Sequence, residues 1–228
     1  MRHDDIRRAR RGLRFGPLAA LPFVCGLILF SGGRAVHAQA GPPAAGLPDG
    51  QGRAGPEEGG HELQIWTTGG YGVKGIASHT GVWTAGVRYG WVLTAPHGPG
   101  FLRGRFECAV DAVPVFMLFQ PASTAYGAAL NPFVSKWNFD THSRIVPYME
   151  LSGGALFTNI QVPPGGSRVN FTSAGAVGIH FLGEKFNWSA DLRFMHISNA
   201  GISSVNPGIN TLQLRLGVGM FTGAHHKN

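Results

Sequence analysis

His196 and Ser198 lie two residues apart in the run Arg193-Phe194-Met195-His196-Ile197-Ser198-Asn199-Ala200. On an extended strand, residues i and i+2 share a face, with Cα atoms roughly 6.5–7 Å apart. An imidazole spans that gap to a hydroxyl, which sets a base beside a potential nucleophile. The pair shares its even-numbered face with Ala190, Leu192 and Phe194. What the pair can act on therefore depends on what this apolar face meets.

The elements that must position the pair are strands. No long stretch of the chain after the first sixty residues has helical periodicity, and its apolar residues alternate instead. In Val82 to Leu93, Trp83, Ala85, Val87, Tyr89, Trp91 and Leu93 oppose Thr84, Gly86, Arg88 and Gly90. In Leu102 to Ala112, Leu102, Phe106, Cys108 and Val110 oppose Arg103, Arg105, Glu107 and Asp111. Val169, Phe171, Val177, Ile179 and Phe181 oppose Arg168, Asn170, Thr172 and His180. The last strand sets Leu212, Leu214, Leu216, Val218 and Met220 against Thr211, Gln213, Arg215, Gly217 and Gly219. Segments near 62–72, 126–140, 144–157 and 186–198 bring the count to eight. The 126–140 segment carries Pro132, which leaves its register open. Turn-forming runs such as Pro96-His97-Gly98-Pro99-Gly100 and Pro163-Pro164-Gly165-Gly166 separate the strands. The fold class this implies is all-β, an eight-stranded antiparallel transmembrane β-barrel. A sheet in hydrocarbon must close, because an open edge leaves backbone groups unpaired.

Alternation does not say which face points inward, and a soluble lipid-binding barrel would turn its apolar face in. Three features favour the inverted arrangement. Only 14% of residues are charged, sparse for a water-facing surface. Arg88, Arg103, Arg105, Glu107, Asp111, Glu150, Asp191, Arg193 and Arg215 carry both signs and can pair in a narrow polar lumen. Trp66, Trp83, Trp91, Trp137 and Trp188 sit near strand ends, where interfacial girdles occur. The N-terminus adds an export signal. Six arginines from Arg2 to Arg14 precede an apolar, uncharged stretch from Leu18 to Phe30, and Val36-His37-Ala38 offers a cleavage site. Thirteen apolar residues are too few for a spanning helix, which needs about 20. The expected organisation is a signal peptide over 1–38, a Gly/Pro-rich flexible linker over 39–60 and a barrel domain over 61–228.

Charge and cysteine content narrow the function classes. Seven of the 19 Lys+Arg residues fall in the first forty, against two acids, so the net charge of +7 belongs mostly to export. A nucleic-acid partner loses its support. Cys25 would leave with the signal and Cys108 would remain alone, which excludes an intrachain disulfide or cysteine metal site. No metal-ligand cluster or phosphate-cradling glycine motif appears, and no cofactor is expected. With a periplasmic N-terminus, the strand carrying His196 and Ser198 runs outward. The pair then sits on the outside wall, level with the outer leaflet, where the ester of a lipid lying alongside meets the serine directly. A His-x-Ser spacing also arises by chance, and both residues suit an aqueous rim.

The run from Arg193 to Ala200, followed by Asn206-Pro207-Gly208-Ile209-Asn210, resembles the signature of the lipid A 3-O-deacylase (PagL) family. The resemblance implies an eight-stranded outer-membrane barrel that removes an ester-linked acyl chain from lipid A, so lipopolysaccharide is the expected substrate. It makes Ser198 the nucleophile and His196 its general base. The family's third member is a glutamate twelve residues after the serine, and Asn210 stands there instead. An amide can orient the ring but cannot stabilise an imidazolium as a carboxylate does. Asn206 matches the asparagine proposed to stabilise the oxyanion, and Asn199 and the backbone near Gly208 are further candidates. The competing expectation is a non-catalytic outer-membrane barrel with a decayed triad and a structural or surface-interaction role. One further departure is the tail from Thr222 to Asn228 beyond Phe221, where such barrels often end on an aromatic residue.

Overall fold

The computed structural model describes residues 55–73 and 79–223. The expected signal peptide and most of the expected linker lie outside the described residues. The linker's last residues are described, and they dock on the barrel: Gly59 N–H donates to Val92 O and Val92 N–H donates to Gly60 O, both at 2.9 Å.

Eight antiparallel strands close into one barrel in chain order. They are β1 (His61–Gly72), β2 (Gly81–Val92), β3 (Gly104–Phe119), β4 (Thr124–Phe139), β5 (Ile145–Val162), β6 (Ser167–Leu182), β7 (Asn187–Ser198) and β8 (Ile209–Thr222). Closure is made by β1, which pairs with β8 from His61↔Thr222 to Gly72↔Thr211. Strands of 12–18 residues are long enough to cross a bilayer when tilted.

Alternation turns the polar residues inward. Arg88, Asp111, Glu150, Asp191, Arg193 and Arg215 are all buried in the lumen, while Val177, Trp188, Leu214 and Leu216 on the opposite faces are more than half exposed. Glu150 is the hub of an ionic cluster. Its carboxylate accepts from Arg88 Nη1 at 2.5 Å, Arg193 Nη2 at 2.6 Å and Arg215 Nη2 at 2.9 Å. Arg88 Nε donates to Asp111 at 2.7 Å, and Arg215 Nε donates to Asp191 at 2.6 Å. Tyr148 OH adds a third donor layer by bonding Asp191 at 2.7 Å. Lys136 Nζ binds Glu62 at 2.5 Å and Glu107 at 3.0 Å.

Three expectations need correction. Arg103 and Arg105 do not enter the lumen: they pair with Asp140 at 3.2 and 2.8 Å, where the β2–β3 and β4–β5 connections meet. Trp66 belongs to no girdle. It is buried in the lumen, beneath the Arg215 guanidinium at 5.7 Å, because even-numbered residues of β1 face inward. The third strand does not end at Ala112 but runs to Phe119. Register shifts between Ala109 and Asp111 and between Val113 and Phe116 let an unbroken apolar run continue the ladder. Phe221 also faces inward, 5.4 Å from the His180 ring. Pro132 is accommodated as Pro must be in an interior strand, at a shift in the β4–β5 register between Leu130 and Phe133.

The lumen is apolar at its other end. Val113, Phe116 and Leu118 of β3 pack with Leu156, Met195, Ile197 and Ile209 in one buried cluster. This core lies at the C-terminal end of β7 and the N-terminal end of β8, so it backs the segment that carries His196 and Ser198.

Two substitutions separate the faces. Glu150→Ala should strip three guanidinium groups of their shared partner and destabilise the barrel by about 3–5 kcal/mol. Leu214→Arg, near the middle of β8 on the outer face, should cost about 2–4 kcal/mol. Urea midpoints of the protein refolded in lipid vesicles measure both, and a Leu214→Arg barrel as stable as the parent would place that face away from lipid.

Candidate active site

β7 presents Trp188, Leu192 and Phe194 to the outside, and His196 and Ser198 continue that face, both half-buried. Met195 and Ile197 between them are buried in the core. The strand therefore fixes both functional side chains outward through the burial of their neighbours.

β8 supplies the third residue. His196 pairs directly with Asn210 in the ladder, and its Nδ1 lies 2.7 Å from Asn210 Oδ1. An amide oxygen only accepts, so Nδ1 is the donor in this bond, and in the neutral ring Nε2 is then the acceptor. That is the tautomer a general base needs. On its other side His196 pairs with Ser173 of β6, and Ser198 pairs with Phe171. The imidazole is thus flanked by an amide and a hydroxyl within a wall of apolar side chains.

Gly208 holds the ring from above. Its φ of +72° is left-handed, and a Cβ placed on it would lie 2.8 Å from His196 Cε1. Only glycine satisfies both the backbone and the space. With Nδ1 fastened to Asn210 and Cε1 against Gly208, the Nε2 side of the ring is the one left free. Among the described residues no hydrogen bond joins Ser198 to His196.

The ladder between β7 and β8 stops at Ile197↔Ile209, and residues 199–208 form the connection. It opens with a tight turn: Ile202 N–H donates to Asn199 O at 3.0 Å, across Ala200 at φ 51° and Gly201 at φ 86°. Positive φ at both central residues matches the turn that suits strand twist. Asn206 is exposed, and its Oδ1 accepts from the backbone N–H of Asn199 at 3.0 Å, one peptide away from Ser198. Asn199 itself is fully buried, its side chain bonded to Val205 O at 2.9 Å and to Gly201 N at 3.0 Å. The structure therefore gathers His196, Ser198, Asn210, Asn206 and Gly208 at one place on the outer wall, with Asn199 beneath them. Sequence reading missed Ser173, whose position beside His196 follows only from the β6–β7 register.

The end of β7 thus carries a hydroxyl and an imidazole whose Nδ1 is anchored to Asn210, and the connection beside it carries an exposed amide. The family model described as lipid A 3-O-deacylase (PagL) matches residues 70–219, more than half of the chain. Among solved structures, the chain is similar to the outer membrane enzyme PagL, at 19% identity and a TM-score of 0.51, over 68% of this chain and 97% of that one. It is also similar to the N-terminal β-barrel domain of Pseudomonas aeruginosa OprF, at 15% identity and a TM-score of 0.47, over 72% and 98% of the two chains. No curated protein matches.

Gly208→Ala should displace the imidazole from Asn210. Histidine side-chain ¹⁵N spectra should then lose the Nδ1-protonated pattern of His196, while the barrel stays folded. An unchanged pattern would show that the ring does not need this glycine.

Proposed function

We propose, from the premise that this chain belongs to the lipid A 3-O-deacylase (PagL) family, that it is an outer-membrane serine esterase which removes the 3-O-linked acyl chain of lipid A. The bond between His196 Nδ1 and Asn210 Oδ1 on the lipid-facing wall carries this reading. It prepares a base beside a serine in the one direction from which an acylated lipid approaches.

The chemistry proceeds in two halves. Ser198 Oγ attacks the ester carbonyl carbon as His196 Nε2 takes the hydroxyl proton. The carbonyl oxygen becomes an oxyanion and accepts from Asn206 Nδ2–H, a donor aimed at charge that develops only during reaction. Collapse breaks the bond to the sugar O3, which receives the proton held by His196 and leaves. An acyl group now sits on Ser198. Water, deprotonated by the same imidazole, attacks that ester, and collapse returns the proton to Ser198 Oγ and releases the 3-hydroxy fatty acid.

Asn210 orients the ring through both halves, and Gly208 leaves it room. As an amide, Asn210 gives the imidazolium a neutral hydrogen bond where a carboxylate would give a charged one. The difference between such bonds is about 1–2 kcal/mol, or roughly tenfold in rate. Export by cleavage of residues 1–38 and delivery of 61–228 to the outer membrane complete the reading.

Mass spectrometry of lipid A from cells expressing the protein tests it. The intact protein should yield lipid A lacking one 3-O-acyl chain, and Ser198→Ala and His196→Ala should each abolish that product with the barrel still folded. Unchanged lipid A with the intact protein would defeat the proposal, and activity gained only in the next variant would mark a decayed triad. Asn210→Glu should raise kcat about tenfold. Silence in both the parent and Asn210→Glu would leave a structural barrel as the correct reading.

A further inference from the structure

We infer that Asn199 is a positioning residue which aims the side-chain amide of Asn206, buttressed by the Pro163–Gly166 turn between β5 and β6; this rests on the acyl-transfer reading above. Asn199 follows Ser198 directly and is buried without exposed surface. All four of its polar groups are spent inside the loop. The backbone N–H donates to Asn206 Oδ1 at 3.0 Å, and the backbone oxygen accepts from Ile202 N–H at 3.0 Å. Side-chain Nδ2 donates to Val205 O at 2.9 Å, and Oδ1 accepts from Gly201 N–H at 3.0 Å. A residue so committed, and with no exposed surface, does not reach an oxyanion directly. It instead ties the start of the connection, at Gly201 and Ile202, to its end, at Val205 and Asn206.

The consequence falls on Asn206. With its oxygen held by Asn199 N–H, its Nδ2 hydrogens point away from that bond, and among the described residues they have no partner. They remain available to a substrate beside Ser198. Pinning one end of an exposed amide removes rotamer freedom that would otherwise be lost in the transition state.

A second contact fixes Val205 from the other side. Ser203 Oγ donates to Gly165 O at 3.4 Å. A Cβ built on Gly166 would lie 3.1 Å from Val205 O, and one on Gly165, at φ +80°, would lie 3.8 Å from Val205 Cγ2. The β5–β6 turn thus packs closely against the same carbonyl that Asn199 uses. Gly166 is far from the reacting atoms in sequence, yet it is coupled to them through this carbonyl.

A double-mutant cycle on the full chain in detergent micelles, with lipid A as substrate, tests the inference. Asn199→Ala and Asn206→Ala should each lower kcat, by about 10–100-fold, with KM changed less than twofold. The double variant should be no slower than Asn206→Ala alone, because both act through one amide. Multiplying losses, or an unaffected Asn199→Ala, would overturn it. Gly166→Ala provides the second route if Asn199→Ala does not fold. Its smaller kcat loss should vanish in the Asn206→Ala background, and a loss that persists there would overturn the buttress. If the parent protein does not hydrolyse lipid A, the proposed function has failed, and side-chain amide NMR decides this inference alone. The two Asn206 Nδ2 proton shifts should converge in Asn199→Ala as the amide gains rotamer freedom, and unmoved resonances would refute the link.

Discussion

Closure of the sheet in hydrocarbon is the constraint from which the other features follow. Lipid offers backbone groups no hydrogen bonds, so eight strands must pair around a ring, and β1 must meet β8. A ring this small leaves a lumen only side chains can fill. The inward residues of β2, β3, β5, β7 and β8 meet there, and an unpaired charge would be very costly in that space. Glu150 resolves this by sharing one carboxylate among Arg88, Arg193 and Arg215, while Asp111 and Asp191 balance the remaining charge. Three guanidinium groups face three carboxylates. Among the described residues every member of this ionic layer is buried.

A filled interior decides where chemistry can occur. Among the described residues the inward side chains are buried, and the candidate site lies on the opposite face. His196, Ser198 and Asn210 occupy the outer wall at the end where Met195, Ile197 and Ile209 build an apolar core behind them. The backing matters because a catalytic geometry tolerates little displacement. Each outward residue of the candidate site alternates with a buried one, which fixes its direction from the strand. The connection 199–208 would be the soft part, but Asn199, itself buried, ties its two ends together.

Much of this was legible in the residues alone. Period-two alternation in β2, β6 and β8 assigns faces that match the structure, and it turns His196 and Ser198 outward. Legibility failed where local sequence underdetermines register. The run Val113-Pro114-Val115-Phe116-Met117-Leu118-Phe119 has no polar partner face, so nothing in it signals that β3 continues inward and outward through two bulges. Trp66 was misread because an aromatic residue near a strand's start looks the same whether its face is lipid or lumen. Arg103 and Arg105 were misread for a different reason: the strand begins at Gly104, and the rim partner Asp140 comes from a distant turn. Gly208's fit against His196 depends on a left-handed φ in one loop and a ring on a neighbouring strand, which composition does not encode. Asn199 shows the same limit, since burial separates it from Asn206 although the two residue types are identical.

The same lipid-facing position also explains how an amide can serve at residue 210. A carboxylate on the outer wall would carry its charge beside hydrocarbon. An amide removes this ground-state burden. Its oxygen still accepts from Nδ1, so the ring keeps the tautomer and orientation that make Nε2 a base. What is forgone is charge stabilisation of the imidazolium, which exists only while the tetrahedral intermediate does. On the proposed reading Asn210 gives up charge stabilisation for a neutral outer wall, and the register pair His196↔Asn210 keeps the amide where it can orient the ring.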